Sequence, residues 1–325
     1  MKLTDNFGRL IKDLRLSVTP RCNLRCLYCH PLDWETTEPP GTVTVEDVRH
    51  FLKAGSMLGL EAVRFTGGEP LVRKELPQMI EAARDTEGIR DIAITTNALL
   101  FRRRAKELVA AGLQRVNISL DSATPEVFKA MTRGGDVSKV LDAIELSFEL
   151  KLEPVKLNAV MIRGMNEGEV VPLAKLSLDR PLHVRFLEYM HLDNSNPEEY
   201  QRRFIAGAET KAKLEREFGP LEKVDSDPSA PARVYKIKGS VGTIGFINPV
   251  TEAFCSKCSR LRLTSDKKLR PCLLTDLEMD IAWAFEAQNP VEAITDAILL
   301  ATDRKPAFGN TLPTLRERVM IGIGG

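Results

Sequence analysis

Six short β-like runs, with amphipathic helical stretches between them, occupy the first two-thirds of this 325-residue chain. The runs are residues 14–19, 62–66, 91–96, 115–120, 155–161 and 184–189. The helical patterns are 45–58, 76–85, 102–111, 139–151 and 167–176. Strands alternating with helices imply parallel pairing through right-handed crossovers. Six units fall short of the eight that close a barrel, so the expected fold is α/β, an incomplete (β/α)6 TIM-type barrel. Chemistry in such a fold collects at the C-terminal ends of the strands. A cysteine loop follows the first run, Thr-Gly-Gly-Glu-Pro the second, Thr-Thr-Asn the third and Ser-Leu-Asp the fourth.

The pattern changes after about residue 194. A helical stretch at 197–218 leads to a polar segment at 224–232 and a hairpin at 234–247, with Gly239 near its turn. Helices are expected at 277–287 and 291–302. The organisation read from this is a partial barrel over 1–194 and a C-terminal extension over 195–325.

All six cysteines fall into two trios, Cys22, Cys26 and Cys29, then Cys255, Cys258 and Cys272. Disulfides fit poorly, because an intracellular chain of this size needs no staples and three is an odd number. Thiolates at C-x3-C-x2-C spacing can each reach a different corner of one cubane, leaving the fourth iron open. Zinc completed by His30 is the competing reading for the first trio, but His30 directly follows Cys29, which makes joint tetrahedral ligation awkward. The second trio has C-x2-C-x13-C spacing. No cysteine or histidine follows Cys272, and the four histidines (His30, His50, His183 and His191) all lie far upstream. A second three-cysteine cluster with an open iron is the better expectation.

Charge adds an exclusion. With 46 basic against 45 acidic residues the formal charge is +1, which argues against a broad nucleic-acid surface but permits a local basic pocket. No apolar run reaches the roughly 18 residues of a membrane span, and the N-terminus lacks a secretory signal, so a cytoplasmic protein without membrane attachment is expected.

The loop around Tyr28, followed by Gly67-Gly68-Glu69-Pro70 after the next run, resembles the defining elements of the radical S-adenosylmethionine (SAM) superfamily. With the second trio, the run Cys-Ser-Lys-Cys-Ser-Arg260-Leu261-Arg262-Leu and the terminal Gly324-Gly325, the whole chain resembles the GTP 3′,8-cyclase family, molybdenum cofactor biosynthesis protein A.

The resemblance implies two [4Fe-4S] clusters, held by the two trios, and SAM as cofactor. Tyr28, Gly68, Ser119 and Met190 are then the SAM contacts. Arg15, Arg64, Thr95, Lys156, Arg185 and Arg260 through Arg262 (Leu261 included) are the GTP contacts. Separated cations suit a triphosphate because arginine offers forked donors to phosphate oxygens, although a lone arginine is more often a surface ion pair. Arg260, Arg262, Gly324 and Gly325 are the implied catalytic set, with the glycine tail threading into the pocket. The implied reaction removes hydrogen from ribose C3′ of GTP and joins C3′ to guanine C8. The implied partners are a cyclic pyranopterin monophosphate synthase downstream and an unidentified electron donor, with the enzyme a monomer or homodimer. One departure is Ala98, where the family carries glycine after Thr-Thr-Asn; a positive φ there would strain it.

Two other readings use the same residues. A peptide-modifying radical SAM enzyme usually has more C-terminal cysteines. A zinc-binding interaction module fits neither the charge balance nor the β–α pattern.

Overall fold

Alternation of side chains along six parallel strands gives the computed structural model its layers. It describes residues 2–29, 37–38, 40–193, 195–225, 227, 229–312 and 314–324; His30 and Gly325 lie outside these. The strands are β1 (Asp13–Ser17), β2 (Ala62–Thr66), β3 (Asp91–Thr96), β4 (Arg115–Ser119), β5 (Lys156–Met161), β6 (His183–Glu188), β7 (Glu222–Val224), β8 (Arg233–Lys236), β9 (Thr243–Ile247), β10 (Arg260–Leu263), β11 (Lys268–Arg270) and β12 (Met279–Asp280). They form one open sheet in the order β12-β11-β10-β1-β2-β3-β4-β5-β6-β9-β8-β7. The incomplete six-unit barrel is therefore present, and the C-terminal residues lengthen it at both edges. Strand β10 pairs parallel with β1, and β9 pairs parallel with β6.

The helices are α1 (Val45–Met57), α2 (Leu76–Arg84), α3 (Phe101–Ala111), α4 (Pro125–Thr132), α5 (Val137–Glu149), α6 (Val170–Lys175), α7 (Pro197–Arg203), α8 (Gly207–Phe218), α9 (Ala282–Phe285), α10 (Pro290–Asp303) and α11 (Met320–Ile323). One face of each central strand supplies the apolar core they cover, including Leu14, Leu16, Val63, Phe65, Ile92, Ile94, Val116, Ile118, Leu157 and Val184. The alternate positions carry Arg15, Arg64, Thr95, Asn117, Lys156, Asn158 and Arg185. The barrel interior is thus polar rather than filled with branched aliphatics.

Three segments differ from the sequence pattern. The expected helix at 197–218 is broken, because Phe204 bridges to Ile162 and the Glu188 carboxylate accepts from Gly207 N at 2.9 Å. A side chain at Gly207 would meet Asn248 Oδ1 at 2.0 Å, which explains the glycine at the new helix start. The expected helix at 277–287 shrinks to α9, since Met279 and Asp280 pair with β11 instead. Helix α4 carried no sequence assignment and begins on Pro125 at a helix N-terminus. The hairpin turn at Gly239 is as expected, with φ +79°.

Close backbone packing joins β9 to the segment leading into β6. At Gly242 a Cβ would meet Leu182 O at 2.3 Å and Arg180 O at 2.6 Å, both main-chain atoms that cannot swing aside. Gly242→Ala should destabilise the protein by roughly 1–3 kcal/mol, the usual cost of overpacking. A lowered urea midpoint with an unchanged slope is the expected result.

Candidate active site

Both cysteine trios open onto one cavity of about 340 Å³ at the C-terminal ends of the strands. All six thiols are free and partly buried. The chain separates them by more than 220 residues, and the pairing of β10 with β1 brings them together.

The first trio sits on the loop leaving β1. Main chain stitches this loop to the Gly-Gly-Glu turn after β2: Gly68 N donates to Thr19 O and Glu69 N to Arg21 O, each at 2.7 Å. A Cβ on Gly68 would lie 2.3 Å from Arg21 O, so glycine is required by this loop-to-loop contact. Glu69, wholly buried, accepts from Leu71 N (3.0 Å), Thr96 Oγ1 (2.6 Å) and Asn97 N (2.7 Å). Burial lifts its carboxyl to about 7, against those three bonds. Asn97 in turn donates to Asn23 Oδ1 at 2.8 Å and approaches Cys22 Sγ at 3.8 Å. Tyr28 Oη donates to Asp121 Oδ2 at 2.7 Å, and the other oxygen of Asp121 accepts from Val160 N at 2.9 Å. Ala98 does adopt the left-handed conformation (φ 63°) that its replacement of glycine makes costly.

The second trio is framed by cations. Cys255 begins a short 3-10 turn, and Cys258 N closes it on Cys255 O at 3.1 Å. The Arg260 guanidinium stacks 4.8 Å from the Phe254 ring centre, and among the described residues its Nε and Nη2 have no hydrogen-bond partner. Burial opposes the Cys258 thiolate, yet the Arg260 and Lys305 charges outweigh it and lower that thiol to about 7. By contrast, burial first and the Glu69 charge next push Cys22 up to about 11, and burial pushes Cys29 up to about 12.

Between the trios the walls are basic. Arg262, Arg15 and Arg64 stand in register across β10, β1 and β2. Arg185 on β6 donates to Asn117 Oδ1 at 2.8 Å, and Gly245 beside it has no room for a Cβ, which would meet the Arg185 stem at 2.9 Å. Arg64 Nε and Arg185 Nε are buried without a hydrogen-bond partner among the described residues. Desolvation, then mutual repulsion, holds Arg64 well below the usual arginine range and lowers Arg185 to about 9. Unpaired buried cations are costly unless an anion arrives to meet them.

The sequence candidates within the described residues fall into four groups. Tyr28, Gly68, Ser119, Met190, Arg15, Arg64, Thr95, Arg185, Arg260, Arg262 and the six cysteines line the cavity. Lys156 lies two residues below Asn158 on β5, deeper in the barrel, within the field of Arg185, Arg115 and Arg64. Leu261 points the other way, fully buried in the apolar core, so only its main chain is available. Gly324, buried with φ +76°, docks against Ser17 and Thr66, and its carbonyl accepts from Arg262 Nη1. Glu69, Asn97 and Asp121, from the motifs at the ends of β2, β3 and β4, also line the cavity, as do Asn158, Phe254 and Lys305, which no sequence motif marks.

The donors suit iron–sulfur ligation. Among the described residues no three His, Cys, Asp or Glu side chains converge as ligands of a single ion; a cubane instead gives each thiolate its own iron corner.

Residues 16–177 match the Radical SAM superfamily and residues 182–310 match Molybdenum Cofactor Synthesis C. A GTP 3′,8-cyclase of Alkaliphilus oremlandii is 41% identical over 327 residues, spanning 99% of this chain and all of that one. A GTP 3′,8-cyclase of Pelotomaculum thermopropionicum is 40% identical over 326 residues, with the same coverage. Among solved structures, Streptococcus suis SuiB bound to S-adenosylmethionine superposes with a TM-score of 0.59 at 13% identity, over 95% of this chain and 79% of that one.

Arg64→Met should raise the stability of the ligand-free protein by roughly 1–2 kcal/mol, because it removes one cation from a repulsive, desolvated set. A lower thermal midpoint in the variant would contradict this account of the cavity.

Proposed function

Because the chain belongs to the GTP 3′,8-cyclase family of radical SAM enzymes, we propose that its cavity holds two [4Fe-4S] clusters, one under each trio, with SAM against the first and GTP between them. The enzyme is a radical SAM GTP cyclase of molybdenum cofactor biosynthesis, using SAM and an iron–sulfur cluster. The observation that carries the two-cluster reading is the opening of all six free thiols, with unpartnered arginine nitrogens between them, onto one cavity. Its size lies within the range of small-ligand sites.

Cys22, Cys26 and Cys29 hold the first cluster in this reading, and Cys255, Cys258 and Cys272 the second. A reduced cluster supplies the electron that cleaves the carbon–sulfur bond of SAM, chemistry that belongs to the cofactor. The protein's part is orientation. Tyr28, Gly68, Ser119 and Met190 position SAM. Tyr28 is fixed by Asp121, and the turn at Gly68 is fixed by its bonds to residues 19 and 21. Arg15, Arg64, Thr95, Lys156 and Arg185 receive GTP, whose triphosphate supplies the counter-charge that the arginines lack. Arg260, the main chain of Leu261 and Arg262 border the second trio. Gly324 brings the tail to the same wall, where Arg262 already grips it, and Gly325 belongs to the catalytic set in this reading. The product, (8S)-3′,8-cyclo-7,8-dihydroguanosine 5′-triphosphate, passes to a cyclic pyranopterin monophosphate synthase. The same reading places the enzyme in the cytoplasm, as monomer or homodimer, fed by a separate electron donor. No helix among the described residues is long and apolar enough to cross a membrane. It also keeps the division near residue 194 between the barrel and the part that supplies the second trio.

The reconstituted protein, incubated anaerobically with SAM, GTP and dithionite, should contain about eight irons and matching sulfide, two cubanes' worth, and form the cyclised nucleotide. Four irons, or product formation independent of the second trio, would remove the second cluster. Deleting Gly324 and Gly325 should leave iron, sulfide and uncoupled SAM cleavage intact while abolishing cyclisation.

Lys156 makes the binding step pH-dependent. Burial, then the Arg185, Arg115 and Arg64 charges, lowers its ammonium to about 7, with Asp91 opposing. A bound triphosphate favours the charged form, so GTP binding above pH 7 takes up a proton there. Affinity should fall as pH rises through and beyond 7, by up to about tenfold per unit, and Lys156→Met should flatten that dependence. Calorimetric titration in two buffers of different ionisation heat reads both.

A further inference from the structure

Residues 305–309 form a strap over the second trio, tied directly to the segments around Cys258 and Cys272 and, through Arg9, to Cys255. Lys305, 3% exposed, donates to Arg260 O at 2.8 Å and to Pro271 O, the carbonyls just beyond Cys258 and just before Cys272. Arg9 reaches the other side. Its guanidinium donates to Cys255 O (2.8 Å), Pro306 O (2.7 Å) and Ala307 O (3.1 Å), while Asp5 holds it at 2.6 Å. Gly309 completes the strap. A Cβ there would lie 2.8 Å from Leu274 Cβ and 3.3 Å from Cys272 Sγ.

Two of the three Lys305 ammonium protons are taken by carbonyls, and the residue lines the cavity beside Cys258 and Cys272. No carboxylate pairs with it: among the described residues its hydrogen bonds run to main-chain oxygens and it enters no ion pair. The negative groups acting on it most strongly are those two cysteines. A buried ammonium with no acid partner needs another source of negative charge.

We propose that Lys305 is a positioning residue for the second cysteine trio, fixing the spacing of Cys258 and Cys272 and setting the reduction potential of the cluster they ligate. This rests on the two-cluster reading. A cation held beside a cluster favours its reduced, more negative state, as outer groups generally tune a metal centre.

Two variants separate charge from shape. Lys305→Gln keeps a donor for the carbonyls but removes the charge, and Lys305→Arg keeps the charge. Both are made in the full chain, with the first trio replaced by alanine so that only the second cluster is read. Iron, sulfide and the spectroscopically monitored reduction midpoint are measured. The expected result is loading in both, a wild-type midpoint for Lys305→Arg, and at least a tenfold weaker reduction equilibrium for Lys305→Gln, a shift of about 59 mV to lower potential for one electron. If Lys305→Gln fails to load while Lys305→Arg loads, the charge is still what the site requires, and the proposal stands. An unchanged midpoint in a loaded Lys305→Gln protein, or failure of both variants to load, overturns the role of Lys305. Absence of iron and sulfide from the parent lacking only the first trio overturns the two-cluster reading itself.

Discussion

Arginines facing inward from adjacent strands set the terms for the rest of this molecule. In a parallel barrel the interior positions are ordinarily filled by branched apolar side chains. Here Arg262, Arg15 and Arg64 occupy neighbouring register positions, with Arg185 opposite on β6. Four cations cannot share a dry core without counter-charge, and the open sheet retains a cavity where packing would otherwise be. The apolar residues on the opposite face of the same strands carry the stability, packed beneath the helices. Alternation with a period of two lets one strand serve both purposes.

The cavity is electrically uneven along its length. Near the first trio lie Glu69 and Asp121, both buried, and the thiols are driven toward protonation by desolvation with those acids adding to it. Near the second trio lie Arg260 and Lys305, and Cys258 is driven the other way. Metal ligation requires thiolates, so in the proposed reading the first trio would give up protons that burial holds, while Cys258 in the second has charge compensation in place beforehand. In the proposed reading, a triphosphate entering between them would meet the inward-facing arginines, and the field along the cavity would orient it.

Much of this was legible in the sequence because it is periodic or locally spaced. The six strands, the two trios and the residues at strand ends are read from alternation and from short intervals. What escaped depends on distant contacts. Nothing within residues 255–263 signals that Arg260–Leu263 pairs beside β1. Nothing around Lys305 shows that its side chain turns inward to carbonyls 45 and 34 residues away. The helix break at Phe204 comes from Glu188 and Ile162, neither of them local. Leu261 illustrates the same limit in reverse, since a motif names three consecutive residues while the pleat turns the middle one to the core. Gly68 is legible as a close approach, but the partner is the loop at residues 20–21 as well as any ligand.

The pairing of β1 with β10 also has a consequence in time. One edge of β1 stays uncovered until the ribosome has delivered residue 263, some 250 residues after β1 itself. At ordinary elongation rates that interval is on the order of ten to fifty seconds. During it the first cysteine loop, beside β2 and β3, can already be in place while the wall bearing the second trio does not yet exist. In the proposed two-cluster reading, the first site is then open to assembly machinery on the nascent chain, and the second can be filled only once translation is nearly over.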